Sequence, residues 1–153
     1  MKILKLAVIA ILFTTFSACG QKSTVPGNVK AAFLQKFPTV KKVSWDKEND
    51  TEWEAEFKMN GQEYSANFSS EGIWMETEYE INKKDIPAAV KQALDSEFNG
   101  YDIEEAEISE TAQGKVYEFA LEKNDTDMEV AISPEGNVMK KEMKAENDDE
   151  DND

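Results

Sequence analysis

The side chains able to do chemistry in this sequence are almost all carboxylates. Of 153 residues, 32 are Asp or Glu against 17 basic residues, every one a Lys, and the formal charge is −15. There is no His and a single Cys, Cys19. Those absences remove the common catalytic base, Cys–His pairs, zinc sites and internal disulfides. No Gly-rich phosphate loop and no G-x-S-x-G elbow occurs. A chain this acidic, without Arg, is unsuited to nucleic acid, whose phosphates demand clustered positive charge. Paired carboxylates can serve as acid and base, but only in a cleft that raises one of the two pKa values. Here they fall at every second residue, the spacing of an open sheet face. No enzyme, no cofactor and no dedicated metal site are expected.

The elements carrying those carboxylates are strands. Glu52, Glu54 and Glu56 alternate with Trp53, Ala55 and Phe57, the period-2 signature of a half-buried strand. Asn60-Gly61 supplies a hairpin turn into Tyr64, Ala66 and Phe68. Glu71-Gly72 turns again into Ile73, Met75, Thr77 and Tyr79, expected to face inward, while Val43 and Trp45 mark an earlier strand. Strict alternation then gathers Asp46, Glu52, Glu54, Glu56, Glu63, Glu76, Glu78 and Glu80 on the outer face, with Lys42 and Lys58 as counter-charges. It also places Trp74 among them as a candidate aromatic anchor, the alternatives being a bulge that turns it inward or packing against the other unit, whereas Trp45 and Trp53 belong to the core pattern. The candidate partner-binding residues are therefore Trp74, Glu52, Glu54, Glu56, Glu76 and Glu78. Later in the chain Glu105, Glu107, Glu118, Glu122, Glu129 and Glu142 repeat the bias. Such a face attracts a cationic protein or peptide; the alternatives are acidic calcium binding, a structural envelope role, or charge that only keeps an exposed sheet soluble.

The chain reads as one unit written twice. At an offset of 61, Val25-Pro26 falls on Ile86-Pro87, Val29 on Val90, Phe33 on Leu94 and Phe37 on Phe98. At an offset of 64, Trp53 falls on Tyr117, Phe57 on Leu121, Glu71-Gly72 on Glu135-Gly136 and Met75 on Met139. Three residues are thus inserted between Phe98 and Tyr117, near Asn99-Gly100 or in the Ala112–Gly114 turn. Each copy opens with a helix, with Thr24 and Asp85 as N-cap candidates, Pro26 and Pro87 in the first turn, and an apolar stripe at 29, 32, 33, 37 or 90, 93, 94, 98. The second copy's strands carry Ala106 and Ile108, then Tyr117, Phe119 and Leu121, then Met128, Val130 and Ile132, then Met139. The expected fold class is α+β: two tandem α-β-β-β-β units, each a helix packed on an antiparallel four-stranded meander.

The N-terminus reads as an address. Lys2 and Lys5 precede the apolar run Leu6–Phe13, too short to cross a bilayer. Ser17-Ala18 stand before Cys19, an arrangement that resembles the bacterial lipobox, in which the Cys is acylated; Phe16 stands where Leu is usual. The expected organisation is a lipoprotein signal peptide (1–18), an anchor linker (19–23), unit 1 (24–82), unit 2 (83–144) and a disordered acidic tail (145–153). Neither Gly20 nor the following Gln21, Lys22 and Ser23 supplies an acidic sorting signal. The resemblance to bacterial lipoproteins then implies an outer-membrane lipoprotein facing the periplasm.

Paired units with a Pro-headed helix, the pattern Val29-Lys30-x-Ala32-Phe33 and the strand-turn Phe68-Ser69-Ser70-Glu71-Gly72, echoed as Ile132-Ser133-Pro134-Glu135-Gly136, resemble the PepSY-like, β-lactamase-inhibitor-like lipoproteins of Bacteroidetes. The resemblance covers roughly residues 24–144. It implies tandem units with exposed sheet faces and a non-enzymatic role, such as inhibiting a protein or peptidase, and supplies no catalytic residue. The expectation is a monomeric binding module that meets the membrane only through its lipid and takes an unknown protein or cationic peptide.

Overall fold

Proline decides where both helices begin. The computed structural model describes residues 24–124 and 126–143; the expected signal peptide, Cys19 and the acidic tail lie outside the described residues. Helix α1 (Gly27–Lys36) and helix α2 (Ala88–Glu97) each start immediately after a proline. Pro26 and Pro87 themselves occupy the cap positions, with extended backbone and no side-chain cap. Their carbonyls accept from Lys30 N at 3.2 Å and Lys91 N at 2.9 Å. Thr24 and Asp85 therefore do not cap, contrary to the sequence reading. The rigid proline holds the entry angle that a capping side chain would otherwise set, and Asp85 sits in a short 3-10 turn, Lys83–Asp85. Each helix closes on an aromatic residue, Phe37 N–H donating to the Phe33 carbonyl and Phe98 N–H to that of Leu94.

The strands are β1 (Val43–Asn49), β2 (Glu52–Met59), β3 (Gln62–Ser69), β4 (Trp74–Glu80), β5 (Asp102–Thr111), β6 (Gly114–Lys123), β7 (Thr126–Ile132) and β8 (Val138–Met143). They form one antiparallel eight-stranded sheet in chain order. The sheet runs on without a break at its middle, β4 pairing with β5 from Glu76↔Thr111 to Glu80↔Glu107. Pairing satisfies two strand edges that would otherwise be left open. At the β2–β3 hairpin, Asn60 and Gly61 both have positive φ, as a two-residue primed turn requires. The β5–β6 hairpin is the longer of the two that follow a helix, its strands spanning Asp102–Thr111 and Gly114–Lys123 against Val43–Asn49 and Glu52–Met59 for β1–β2.

Both helices lie on the same side of this sheet. Val29, Phe33 and Phe37 pack with Trp53, Ala55, Phe57, Ala66 and Phe68. Val90, Ala93, Leu94 and Phe98 pack with Ala106, Ile108, Tyr117, Phe119, Leu121, Met128, Val130 and Ile132. Cross-strand register links the two sets on one face, since Ala55, Ala66, Thr77 and Glu110 are successive partners, as are Tyr79, Ile108, Tyr117 and Ile132. A ten-residue helix is marginal alone. Burying a large apolar side chain stabilises by about 1.5–3 kcal/mol, so these stripes hold the helices in place.

Two glycines fix how each helix meets its sheet. Gly72 and Gly136 have positive φ, and a Cβ on either would meet a helix carbonyl, Asn28 O at 2.9 Å or Ala89 O at 2.7 Å. Only a residue without a side chain tolerates both the backbone angle and the contact.

Directly after these turns, alternation breaks. Phe68 pairs with Trp74 while Asn67 pairs with Glu76, so Met75 is an extra residue in β4. Such a bulge moves every residue on its far side to the opposite face. Trp74 consequently lies on the helix side, half-buried against the first core. Its indole N–H donates to Thr77 Oγ1 at 3.0 Å, and Lys36 Nζ sits 3.2 Å from the ring centroid. The bulge thus turns Trp74 inward, the alternative to an outward anchor, and Ile73 and Met75, expected inward, are 64% and 40% exposed. The same slip occurs in β8, where Ile132 pairs with Val138 and Ala131 with Lys140. Met139, also expected inward, is exposed for the same reason.

Candidate functional site on the helix-free sheet face

The opposite face of the sheet is where the carboxylates meet. Register sets Asp46, Glu54, Asn67, Glu76 and Thr111 in one row across β1 to β5. The next row runs Ser44, Glu56, Ser65, Glu78, Ser109 and Val116. A third holds Glu80, Glu107, Glu118, Ala131 and Lys140. Glu52, Glu54, Glu56, Glu76 and Glu78 therefore share one surface, as alternation predicts, and Trp74 is the one candidate that does not join them.

Their surroundings differ sharply. Glu56 is exposed, Glu54 and Glu76 are half-buried, and Glu52 and Glu78 are only 8% and 6% exposed. Glu52 is held from two sides, Asn49 Nδ2 donating to Oε2 at 3.0 Å and Asn67 Nδ2 to Oε1 at 3.0 Å. Ser109 Oγ donates to Glu76 Oε2 at 3.3 Å. Lysines reach only the margins: Lys58 pairs with Glu63 at 3.3 Å and Lys140 with Glu142 at 2.8 Å.

Crowding like charges away from water resists ionisation. Burial, then the neighbouring Glu76, Glu118, Glu107 and Glu54, pushes Glu78 up to about 9. Burial first, then Glu118, raises Glu76 to about 7, with the Ser109 hydrogen bond opposing. Burial and then Glu48, with which Glu54 shares a hydrogen bond, raise Glu54 to about 7. Glu107 is raised to about 7 by burial and then Glu105. Burial raises Glu118 too, against the pull of Lys140. Burial and like charge therefore hold the carboxyl groups at the centre of this face above the usual carboxylate range.

Two further residues belong to the site. Asn67 is 1% exposed and its Oδ1 has no hydrogen-bond partner, and neither has the buried Ser65 Oγ. Their signal in the sequence is spacing: Ser65 and Asn67 are the polar positions alternating with Tyr64, Ala66 and Phe68. Among the described residues, no group of three or more His, Cys, Asp or Glu is arranged to hold a metal ion.

Comparison with known proteins gives this architecture relatives. A family model described as "Putative beta-lactamase-inhibitor-like, PepSY-like" matches residues 51–140, more than half of the chain. The chain belongs to that family. This PepSY-like protein also resembles solved structures from Bacteroides. A DUF2874 family protein from Bacteroides ovatus superposes with a TM-score of 0.72 at 21% identity, covering 79% of this chain and 89% of that one. A BLIP-like protein from Bacteroides fragilis gives 0.72 at 19% identity, covering 83% and 92%. A protein from Bacteroides eggerthii described as periplasmic gives 0.70 at 20% identity, covering 79% and 90%. At these identities the likeness is one of fold. No curated protein matches the chain. Among the described residues no helix is long and apolar enough to cross a membrane.

Proposed function

We propose that this PepSY-like protein is a non-enzymatic binding module of the periplasm, held to the outer membrane by lipid on Cys19, whose helix-free sheet face docks a cationic protein surface. The observation that carries the reading is the division of labour across one sheet. Both helices cover one side, and the other side gathers carboxylates whose lysine partners stand at the margins. A neighbour described as periplasmic and the export-signal pattern before Cys19 support the location.

The chain is read as two copies of one unit, residues 24–82 and 83–144. Support comes from features that recur at the sequence offsets: a proline heading each helix, a positive-φ glycine against a helix carbonyl, and a bulge after it. Fusing two copies edge to edge doubles the width of the charged face without closing the sheet. Inhibition of a bound partner is one outcome of such docking.

The test is site-directed photo-crosslinking in the native cell. A crosslinker at Glu56, exposed on the charged face, is expected to capture a basic protein that one at Leu34, exposed on α1, does not. Glu56→Lys should abolish capture from a second position on the face, Glu80, without changing the melting temperature. Capture that ignores the charge reversal, or that occurs equally from Leu34, overturns the reading.

A further inference from the structure

Two buried side-chain oxygens on the acidic face, both on β3, have no hydrogen-bond partner. Asn67 and Ser65 stand two residues apart on β3, on the same face, and each keeps an oxygen without a hydrogen-bond partner. Asn67 is flanked in register by Glu54 and Glu76, and Ser65 by Glu56 and Glu78. The amide orientation is fixed, because Nδ2 of Asn67 donates to Glu52 and leaves Oδ1 as an acceptor among carboxyl groups. A buried acceptor left unpaired costs about 1–3 kcal/mol. A sheet built only to stay soluble has no reason to keep two of them at its centre.

The geometry points to an arginine side chain of the docked partner as the group that enters here, its guanidinium donating to Asn67 Oδ1 and Ser65 Oγ between the carboxylates of Glu54, Glu76 and Glu78. The assignment rests on the docking role proposed above and names its chemical anchor. Facing residues on paired strands stand about 4.5–5.5 Å apart at Cβ, so these acceptors form a spread row. A divalent ion needs oxygens converging at about 2.0–2.6 Å, and no such group is formed among the described residues. A guanidinium is planar, carries five N–H donors in a fixed fan and sheds water more readily than an ammonium. It can reach both orphan oxygens and a carboxylate together. Glu54 and Glu76, half-buried on the flanking strands, must part to admit it. The positive charge then favours their ionised forms, so entry releases protons to solvent.

The probe is N-acetyl-arginine methylamide, titrated into the full isotope-labelled chain and followed by NMR at the Asn67 side-chain amide, with the lysine and citrulline analogues and calcium as parallel arms. The arginine compound should shift Asn67 saturably and bind at least ten-fold tighter than citrulline, with lysine between. Calorimetry in buffers of different ionisation enthalpy should show proton release, and Ser65→Ala should weaken binding several-fold while leaving the fold intact. No saturable shift at Asn67, equal response to citrulline, or a response to calcium alone overturns the assignment. Those results leave the crosslinking outcome at Glu56 untouched. Conversely, arginine binding with capture from Glu80 that ignores Glu56→Lys would retain a guanidinium site while removing the docking role.

Discussion

The two halves of the sheet carry the same plan in different materials. In the first half the core is aromatic: Phe33 contacts the rings of Phe37, Trp45, Phe57 and Phe68 at centroid distances of 5.2–6.2 Å, and Phe37 meets Phe57 at 4.5 Å. In the second half Leu94 takes the place of Phe33, and Leu121, Met128, Val130 and Ile132 fill the space around it. Backbone features stay constant while the packing chemistry changes. Helix placement is therefore set by proline, glycine turn and bulge, and the interior needs only to be apolar and of suitable volume.

The largest expected effect is at the centre of each core. Phe33→Ala should cost about 4 kcal/mol and Leu94→Ala about 3 kcal/mol, because truncation leaves a cavity as well as losing burial. Urea unfolding of each variant measures both. If the halves unfold as one sheet, either change should shift a single transition. Two separated transitions would show that the β4–β5 pairing does not couple them.

Next are the turn glycines. Gly136→Ala and Gly72→Ala each force an L-residue into the left-handed region at about 1–2 kcal/mol, with a helix carbonyl in the way. Gly136 has the closer contact and should show the larger loss of melting temperature.

A smaller contrast separates Trp74 from its counterpart Val138. Trp74→Ala loses a ring under Lys36 and a hydrogen bond to Thr77, interactions of about 1 kcal/mol each. Val138→Ala, at a residue 37% exposed, should cost less than half as much by the same unfolding assay.

An effect of another kind, spread over the whole face, should appear against pH. Glu54, Glu76, Glu107 and Glu78 have folded pKa values raised above the unfolded range, so their stability contribution is whole below that range. It is lost as pH rises through about 7 and then about 9. Unfolding free energy should fall from mildly acidic to alkaline pH. Glu78→Gln should flatten the upper part of that fall.

Much of this organisation was legible in the residues. Period-2 alternation located the strands, and the stripes at 29, 32, 33, 37 and 90, 93, 94, 98 located the helical faces, because burial demands apolar groups at those spacings. Asn60-Gly61 announced its hairpin by its tolerance of positive φ. The carboxylate surface followed from the same alternation. A bulge has no comparable signature, since one added residue leaves a strand as apolar and as extended as before. Alternation alone therefore leaves Trp74 open between an outward anchor and a residue turned inward by a bulge, and it puts Ile73, Met75 and Met139 on the wrong face. The union of two meanders was hidden as well, because periodicity states that a strand has two faces and does not state what lies at its edge. Asn67 and Ser65 passed as ordinary polar positions, since burial on a helix-free face depends on the neighbours gathered around them.

The unbroken order of the sheet, each strand beside its neighbour in the chain, bears on how the molecule is made. Six of the seven pairings join strands linked by a short connection and can form one after the next from the amino end, and only β4–β5 must wait for α2 to be made first. Short loops lose little entropy on closure, and local topologies assemble quickly. A polypeptide threaded outward through a membrane, end first, could thus acquire its structure progressively, with each new hairpin sheltering the raw edge left by the one before.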